Sequence, residues 1–296
     1  MIQQVDKEIQ TLIEEIDYDE LNRHLSLLMG GKRLRAKLIL TIAKEHSNAP
    51  LLGAIVELIH SSSLLHDDVI DEATIRRGTD CVNATEGSKT AIMIGDILYA
   101  KSFSALTFFD REIAYKLSSA VTLLSIGEMM DVKLSAEFND DEQKYIRMLY
   151  LKTASLMEAT AECAALLAGK DAAAYANYGK NLGLAFQIVD DILDIVSDEK
   201  TLGKPALSDF KEGKCTLPYI YLFHALEDHD KQTLRSLHAK ELSDEQTRWI
   251  QEKMQQHHCI KKAFELAQRL TEEAKTAVPH ETKLIEILDN MIKRSY

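Results

Sequence analysis

The chain has 296 residues, enough for one large domain or two small ones and for a sizeable buried core. A hydrophobic fraction of 46% with 28% charged residues excludes a disordered or fibrous chain. The 35 basic against 47 acidic residues, a net charge of −12, oppose general binding to nucleic acid or to an anionic membrane surface, so an anionic ligand must be held by a local basic cluster or through a bound cation.

Only 12 Gly and 4 Pro occur, below the roughly 7% and 5% of average usage, and long helices are expected. The first stripe at helical spacing is Val5, Ile9, Leu12, Ile13 and Ile16. The residues from Met1 to Asp6 carry no basic segment followed by an apolar one, and no signal peptide is expected. Gly30-Gly31 breaks the pattern and is followed by three cations, Lys32, Arg33 and Arg35. Asn48-Ala49-Pro50 opens the next helix, with Ile55, Ile59 and Ser62 to Leu65 on its apolar side. Its run from Leu51 to Leu65 is too short for a membrane span of ~20 residues and is broken by Glu57, His60 and three serines. That helix reaches Asp67-Asp68-Val69-Ile70-Asp71, followed by Arg76-Arg77-Gly78. Further breaks fall at Glu86-Gly87 and Gly169-Lys170-Asp171, and the acidic motif returns as Asp190-Asp191-Ile192-Leu193-Asp194. The longest irregular candidate runs from Ser197 to Pro218, and Val278-Pro279 marks the last break. No alternating stretch supports a sheet. The fold expected is all-α, a single domain over 1–296 built as a bundle of about ten or more helices around a central cavity. Cys81, Cys163, Cys215 and Cys259 form no CxxC pair, as expected of ordinary thiols in a reducing cytoplasm.

On a helix, residues i and i+4 stack and i+1 lies beside them, so each acidic motif puts three carboxylates on one strip. The strips extend as His60, Ser63, Asp67 and Asp71, and as Gln187, Asp190, Asp194 and Asp198. One such motif is ordinarily a solvated face. Two copies of identical spacing in apolar surroundings point instead to a cavity, where carboxylates repel unless cations sit between them. Oxygen ligands select hard ions, and Mg²⁺ in particular bridges carboxylates to phosphate oxygens. Glu57 and His60 match the ExxH spacing of di-iron bundles, but no second ExxH exists and that reading is set aside. The basic clusters alone would be solvated loops. Beside two metal motifs they suit a second anion, because Arg grips phosphate bidentately and Lys acts as a point charge. Two diphosphates imply a reaction between two diphosphate substrates.

In order along the chain stand GGKRLR at 30–35, LLHDDVIDEATIRRG at 64–78, GD at 95–96, GEMMD at 127–131, KT at 152–153, FQIVDDILD at 186–194 and GKPALSDFKEGKCTLP at 203–218. This set resembles the trans-type polyprenyl diphosphate synthases, an all-α family of the isoprenoid synthase type, over nearly the whole chain. The resemblance implies that Asp67, Asp68, Asp71, Asp190, Asp191 and Asp194 ligate about three Mg²⁺ ions that bind an allylic diphosphate. It implies that Arg76, Lys152, Lys204 and Lys214 hold the same diphosphate, with Thr153 and Gln187 lining the site. Lys32, Arg33 or Arg35, His60 and Arg77 resemble the pocket for isopentenyl diphosphate. Family members are usually homodimers. Two positions depart from the pattern: Ala36 stands where Pro is common, and Leu207 stands where Gly is common.

The chemistry so implied is repeated condensation of isopentenyl diphosphate with an allylic starter, geranyl or farnesyl diphosphate, in a closed apolar cavity that excludes water. A tail anchored at Asp67 and Asp71 would pass Ser62 and Ser63, one turn back along the helix. The family's short-product members carry bulky residues there, and their absence suggests a medium or long product, C30 to C40, of the kind attached to quinones. A shorter farnesyl or geranylgeranyl product is the alternative. A terpene cyclase is disfavoured by the full second DDxxD, and a non-catalytic synthase subunit by retention of both motifs. Nucleic acid is not an expected partner, and membrane contact is expected to be peripheral at most.

Overall fold

With so few breakers, the chain folds almost entirely as helix. The computed structural model describes residues 2–19, 21, 23, 31, 33–44, 46–76, 78–196 and 207–293. In chain order it contains α1 (Ile2–Glu14), α2 (Leu34–Ile42), α3 (Ala49–Ile70), strands β1 (Ile75–Arg76) and β2 (Thr79–Asp80), α4 (Val82–Thr85), α5 (Ser88–Leu106), α6 (Arg111–Ser135), α7 (Glu142–Leu149), α8 (Ser155–Leu167), α9 (Ala172–Val196), α10 (Ser208–Lys211), α11 (Leu217–Ala225), α12 (Asp228–Leu237), α13 (Asp244–Gln256), α14 (Cys259–Ala277) and α15 (Thr282–Ile292). Tyr150–Ala154 winds as a single π-helical turn joining α7 to α8. Two compact units are present, Met1–Thr122 with Leu156–Ala176, and Leu123–Ser155 with Asn177–Tyr296.

In the first unit α3 is central, packed on by α1, α2 and α5. Every residue from Leu52 to Ile59 is buried, as expected of a core helix that is apolar on nearly all sides. The α1 stripe of Val5, Ile9, Leu12 and Ile13 is buried against this core, and each such side chain contributes roughly 1.5–3 kcal/mol. Further along α3 the contacts turn polar. The Ser62 hydroxyl donates to the Gly95 carbonyl of α5 at 2.7 Å. A Cβ on Gly95 would stand 2.3 Å from the His66 ring, so glycine sets the close approach that fixes the end of α3.

The second unit is built around Ile195, Leu207, Phe210, Tyr219, Phe223 and Ile250, with Phe210 stacked on Tyr219 at 4.3 Å between centroids. α11 packs against α7, α13 and α14. The Tyr178 hydroxyl reaches from α9 to the Leu284 carbonyl of α15 at 2.9 Å. Asp141 caps α7 and a Ser243–Gln246 capping box starts α13.

The structure differs from the sequence reading in two places. A two-residue antiparallel ladder, Ile75 opposite Asp80 and Arg76 opposite Thr79, interrupts the helices; it is too short to show alternation. The run expected to be irregular as far as Pro218 contains α10 and the start of α11, while its segment 197–206 lies outside the described residues. All four cysteines are buried and unpaired. Among the described residues no helix is long and apolar enough to cross a membrane.

Candidate active site

Both acidic motifs occupy the C-terminal ends of their helices, α3 and α9, and neither helix has a basic residue in its last turn. A helix C-terminus already carries partial negative charge from unsatisfied carbonyls. Clustered carboxylates there are electrostatically unfavourable, and a divalent cation relieves that cost, so the donor set fits a hard metal ion.

The three acids of the first motif are not equivalent. Asp67 is half-buried and Asp71, the C-cap of α3, is exposed. Asp68 is buried and accepts from Arg76 Nε at 2.5 Å, so this carboxylate holds the guanidinium of β1. Burial, and then Asp68 itself, push the Cys81 thiol up to about 11. Asn83 donates to the carbonyls of Asp68 and Ala73 at 3.0 and 2.8 Å, closing the turn after α3.

In the second motif Asp190 is exposed while Asp191 and Asp194 are buried. Asp191 accepts from the Tyr145 hydroxyl and from Gln187 Nε2, the latter at 3.0 Å. Burial raises its carboxyl well above the usual range, reinforced by Asp209, Asp194 and Asp131. Asp194 accepts from Ser208 Oγ at 2.6 Å and from the Asp209 N–H at 3.1 Å, anchoring α10. Asp68 of the first motif and Asp191 and Asp194 of the second thus bond side chains or backbone supplied by β1, α7 and α10. No group of three or more His, Cys, Asp or Glu poised for a metal is present among the described residues.

The π-turn positions the next two residues. Gly127 of α6 comes so close to it that an added Cβ would lie 2.4 Å from the Lys152 nitrogen. Such turns frequently mark functional sites. Here the turn carries Lys152, whose Nζ lies 2.6 Å from Asp131 Oδ2 and 2.8 Å from Glu128 Oε2. The second contact is ionic rather than a directed hydrogen bond, since neither buried Glu128 oxygen has a hydrogen-bond partner. Thr153 Oγ1 donates to Gln187 Oε1 at 3.2 Å, tying the turn to α9. Lys214 pairs with Glu212 at 2.8 Å and lines a narrow cleft with Asp131 and Tyr145.

Among the expected substrate contacts of the first unit, Arg35 and His60 are half-buried and Arg33 is buried. Ser63 donates to the His60 carbonyl at 2.8 Å. Ser62 is fully buried, and the Tyr99 hydroxyl, raised to about 12 by burial, lies beside it. An aromatic side chain therefore does approach Ser62, supplied by α5 rather than by the local sequence. Lys32, Arg77 and Lys204 lie outside the described residues. Tyr145, Glu128 and Asp131 had no assigned role in the sequence reading. The i, i+3 spacing of Glu128 and Asp131 within GEMMD was the available signal.

An almost wholly helical fold with one aspartate motif beside Arg76 at the end of α3 and a second at the end of α9, in the unit that carries Lys152 and Lys214, fits the isoprenoid synthase class. A sequence model of the polyprenyl synthetase family matches residues 19–255. The chain is 38% identical over 244 residues to a geranylgeranyl diphosphate synthase of Sulfolobus acidocaldarius, covering 77% of this chain and 73% of that one. It is 33% identical over 244 residues to an octaprenyl diphosphate synthase of Escherichia coli, covering 80% and 73%. The crystal structure of octaprenyl pyrophosphate synthase from Helicobacter pylori superposes with a TM-score of 0.92 at 42% identity, covering 99% of this chain and 97% of that one. The chain belongs to the polyprenyl synthetase family and is a prenyltransferase.

Proposed function

We propose that the protein is a magnesium-dependent, homodimeric, cytoplasmic synthase. It condenses isopentenyl diphosphate repeatedly with geranyl or farnesyl diphosphate to an all-trans polyprenyl diphosphate of C30 to C40 that serves quinone side chains. The observation that carries this reading is a DDxxD motif at the C-terminal end of each of two helices, α3 and α9. Asp68, Asp191 and Asp194 fix Arg76, Tyr145, Gln187 and α10, while Asp67, Asp71 and Asp190 are the acids exposed or only half-buried.

In this reading Asp67, Asp68, Asp71, Asp190, Asp191 and Asp194 hold about three magnesium ions. When bound, magnesium neutralises the departing diphosphate and assists cleavage of the allylic C–O bond. Arg76, Lys152 and Lys214, with Lys204, grip the same diphosphate, and Thr153 and Gln187 keep the π-turn in register with α9. Arg35 and His60, with Lys32 and Arg77, hold isopentenyl diphosphate so that its double bond meets the allylic carbon. The allylic C–O bond breaks first, the allylic cation then bonds to the isopentenyl double bond, and the released pyrophosphate takes up the proton whose loss restores an allylic double bond. Ser63, on the half-buried side of α3, borders the path of the growing tail. Ser62 is committed to α5.

The test is incubation with farnesyl diphosphate, labelled isopentenyl diphosphate and Mg²⁺, followed by chain-length analysis. Products of C30 or longer are expected. Products that stop at C20 would replace the length assignment with the geranylgeranyl one, and absence of any condensation would overturn the reading.

A further inference from the structure

Glu57 is the lone charged side chain in the buried apolar half of α3, and the reaction outlined above gives it no task. Both of its oxygens are engaged. Oε1 accepts the Ala36 N–H in the first turn of α2 at 2.9 Å, and Oε2 lies 3.4 Å from Arg33 NH1. Arg33 precedes α2 in a left-handed conformation, φ 50°, with only 8% of its surface exposed. Its NH2 also lies 3.4 Å from Asp6 of α1, an ion pair without a hydrogen bond. A buried, incompletely satisfied guanidinium is a costly feature for a core, and a hydrophobic residue of similar size commonly serves stability as well or better. What the arrangement does secure is geometry. It pins the basic segment from both sides of α2's start, turns Arg33 inward, and leaves Arg35 half-buried two residues on.

We propose that Glu57 is a positioning residue for isopentenyl diphosphate: by holding the Ala36 N–H and the Arg33 guanidinium, it sets the basic segment so that Arg35 meets that diphosphate. Arg33 is then a strut rather than a ligand. The inference rests on the assignment of this segment to isopentenyl diphosphate.

Glu57→Gln keeps the shape and the acceptor for Ala36 but removes the charge facing Arg33, and Arg33→Met keeps the length of the strut without its charge. Two readouts apply to each: hydrogen exchange of the peptide containing Ala36 in the ligand-free protein, and separate KM values for the two substrates. Faster exchange at Ala36 is expected, with KM for isopentenyl diphosphate up roughly tenfold or more, as for a misplaced charge-assisted contact. The allylic KM and kcat should stay within about twofold. Because Glu57 acts through Arg35, the double variant Glu57→Gln/Arg35→Ala should be no worse than Arg35→Ala alone. A folded Glu57→Gln protein with unchanged exchange and KM overturns the proposal, as does equal loss for both substrates or full additivity with Arg35→Ala. Should Glu57→Gln fail to fold, Arg33→Met decides by the same readouts. A wild-type protein with no saturable dependence on isopentenyl diphosphate would instead fail the functional assignment itself.

Discussion

Leu207 holds φ at 61°, where a residue with a Cβ pays roughly 1–2 kcal/mol and where glycine is common in the family this chain resembles. Its side chain explains the exchange: it is fully buried in the cluster of Ile195 and Phe210, and its N–H donates to the Asp194 carbonyl at 3.0 Å. Losing a buried leucine costs about 2–5 kcal/mol including the cavity, more than relief of the strain returns. Leu207→Gly should therefore lower Tm by several degrees in calorimetry; a higher Tm would mean that strain outweighs packing here. The serine pair divides in the same residue-by-residue way. Ser62 is sealed between α3 and α5 with Tyr99 beside it, so Ser62→Phe overpacks a closed contact and should destabilise the fold by about 1–3 kcal/mol or more. Ser63 is half-buried and, among the described residues, bonds within its own helix, so Ser63→Phe should fold, retain the first condensation and release shorter products. An unchanged product distribution from a folded, active Ser63→Phe enzyme would exclude that side of α3 as the tail's path.

At the scale of elements, the π-turn is the device that sequence could not display, because one extra residue in a helical turn leaves no compositional mark. Gly127 makes room for it, and the atom a Cβ would meet is backbone, which cannot swing aside. Gly127→Ala should cost about 1–3 kcal/mol or more in stability and raise the KM of the allylic substrate through Lys152, while a wild-type Tm and KM would show that α6 does not press on the turn. Breaks signalled by Asn48-Ala49-Pro50, Gly87 and Gly169 were legible because those residues carry their own backbone preferences. The starts of α7 and α13 were not, since Asp141 and Ser243 act as caps through side chains that also occur in many exposed positions. The acidic motifs were legible as helix strips from spacing alone. That Asp68, Asp191 and Asp194 would bond these particular partners was not, because the partners arrive from elsewhere: Arg76 from β1, Tyr145 from α7 and Ser208 from α10. Arg33 was unreadable for the same reason, its partners being Glu57 and Asp6 on two other helices.

Across the whole molecule, exposed large apolar side chains are unevenly spread. Among the described residues, eight of the twelve, Ile92, Met93, Phe103, Phe108, Tyr115, Ile126, Met129 and Val132, belong to α5, α6 and the link between them. Scattered exposed apolar residues are ordinary in a monomer, and the homodimer proposed above would cover such residues on these consecutive helices. In a chain of net charge −12 the stretch 88–135 carries five basic and five acidic residues, so it brings no net charge repulsion between two copies, and a second copy is the occupant consistent with the proposed homodimer. A stable dimer requires about 1,200–2,000 Å² of total buried surface with an apolar centre, which is what substitution by a charge disrupts. Phe108 is 74% exposed and Met93 56%, so Phe108→Glu/Met93→Glu should cost the monomer's fold little, within about 0.5 kcal/mol per site. Light scattering after size exclusion should give twice 33.4 kDa for the wild-type chain, and a concentration-dependent fall toward 33.4 kDa for the double variant with its circular dichroism unchanged. A wild-type mass of 33.4 kDa would remove the dimer, and an intact dimer in the double variant would place its interface on another surface.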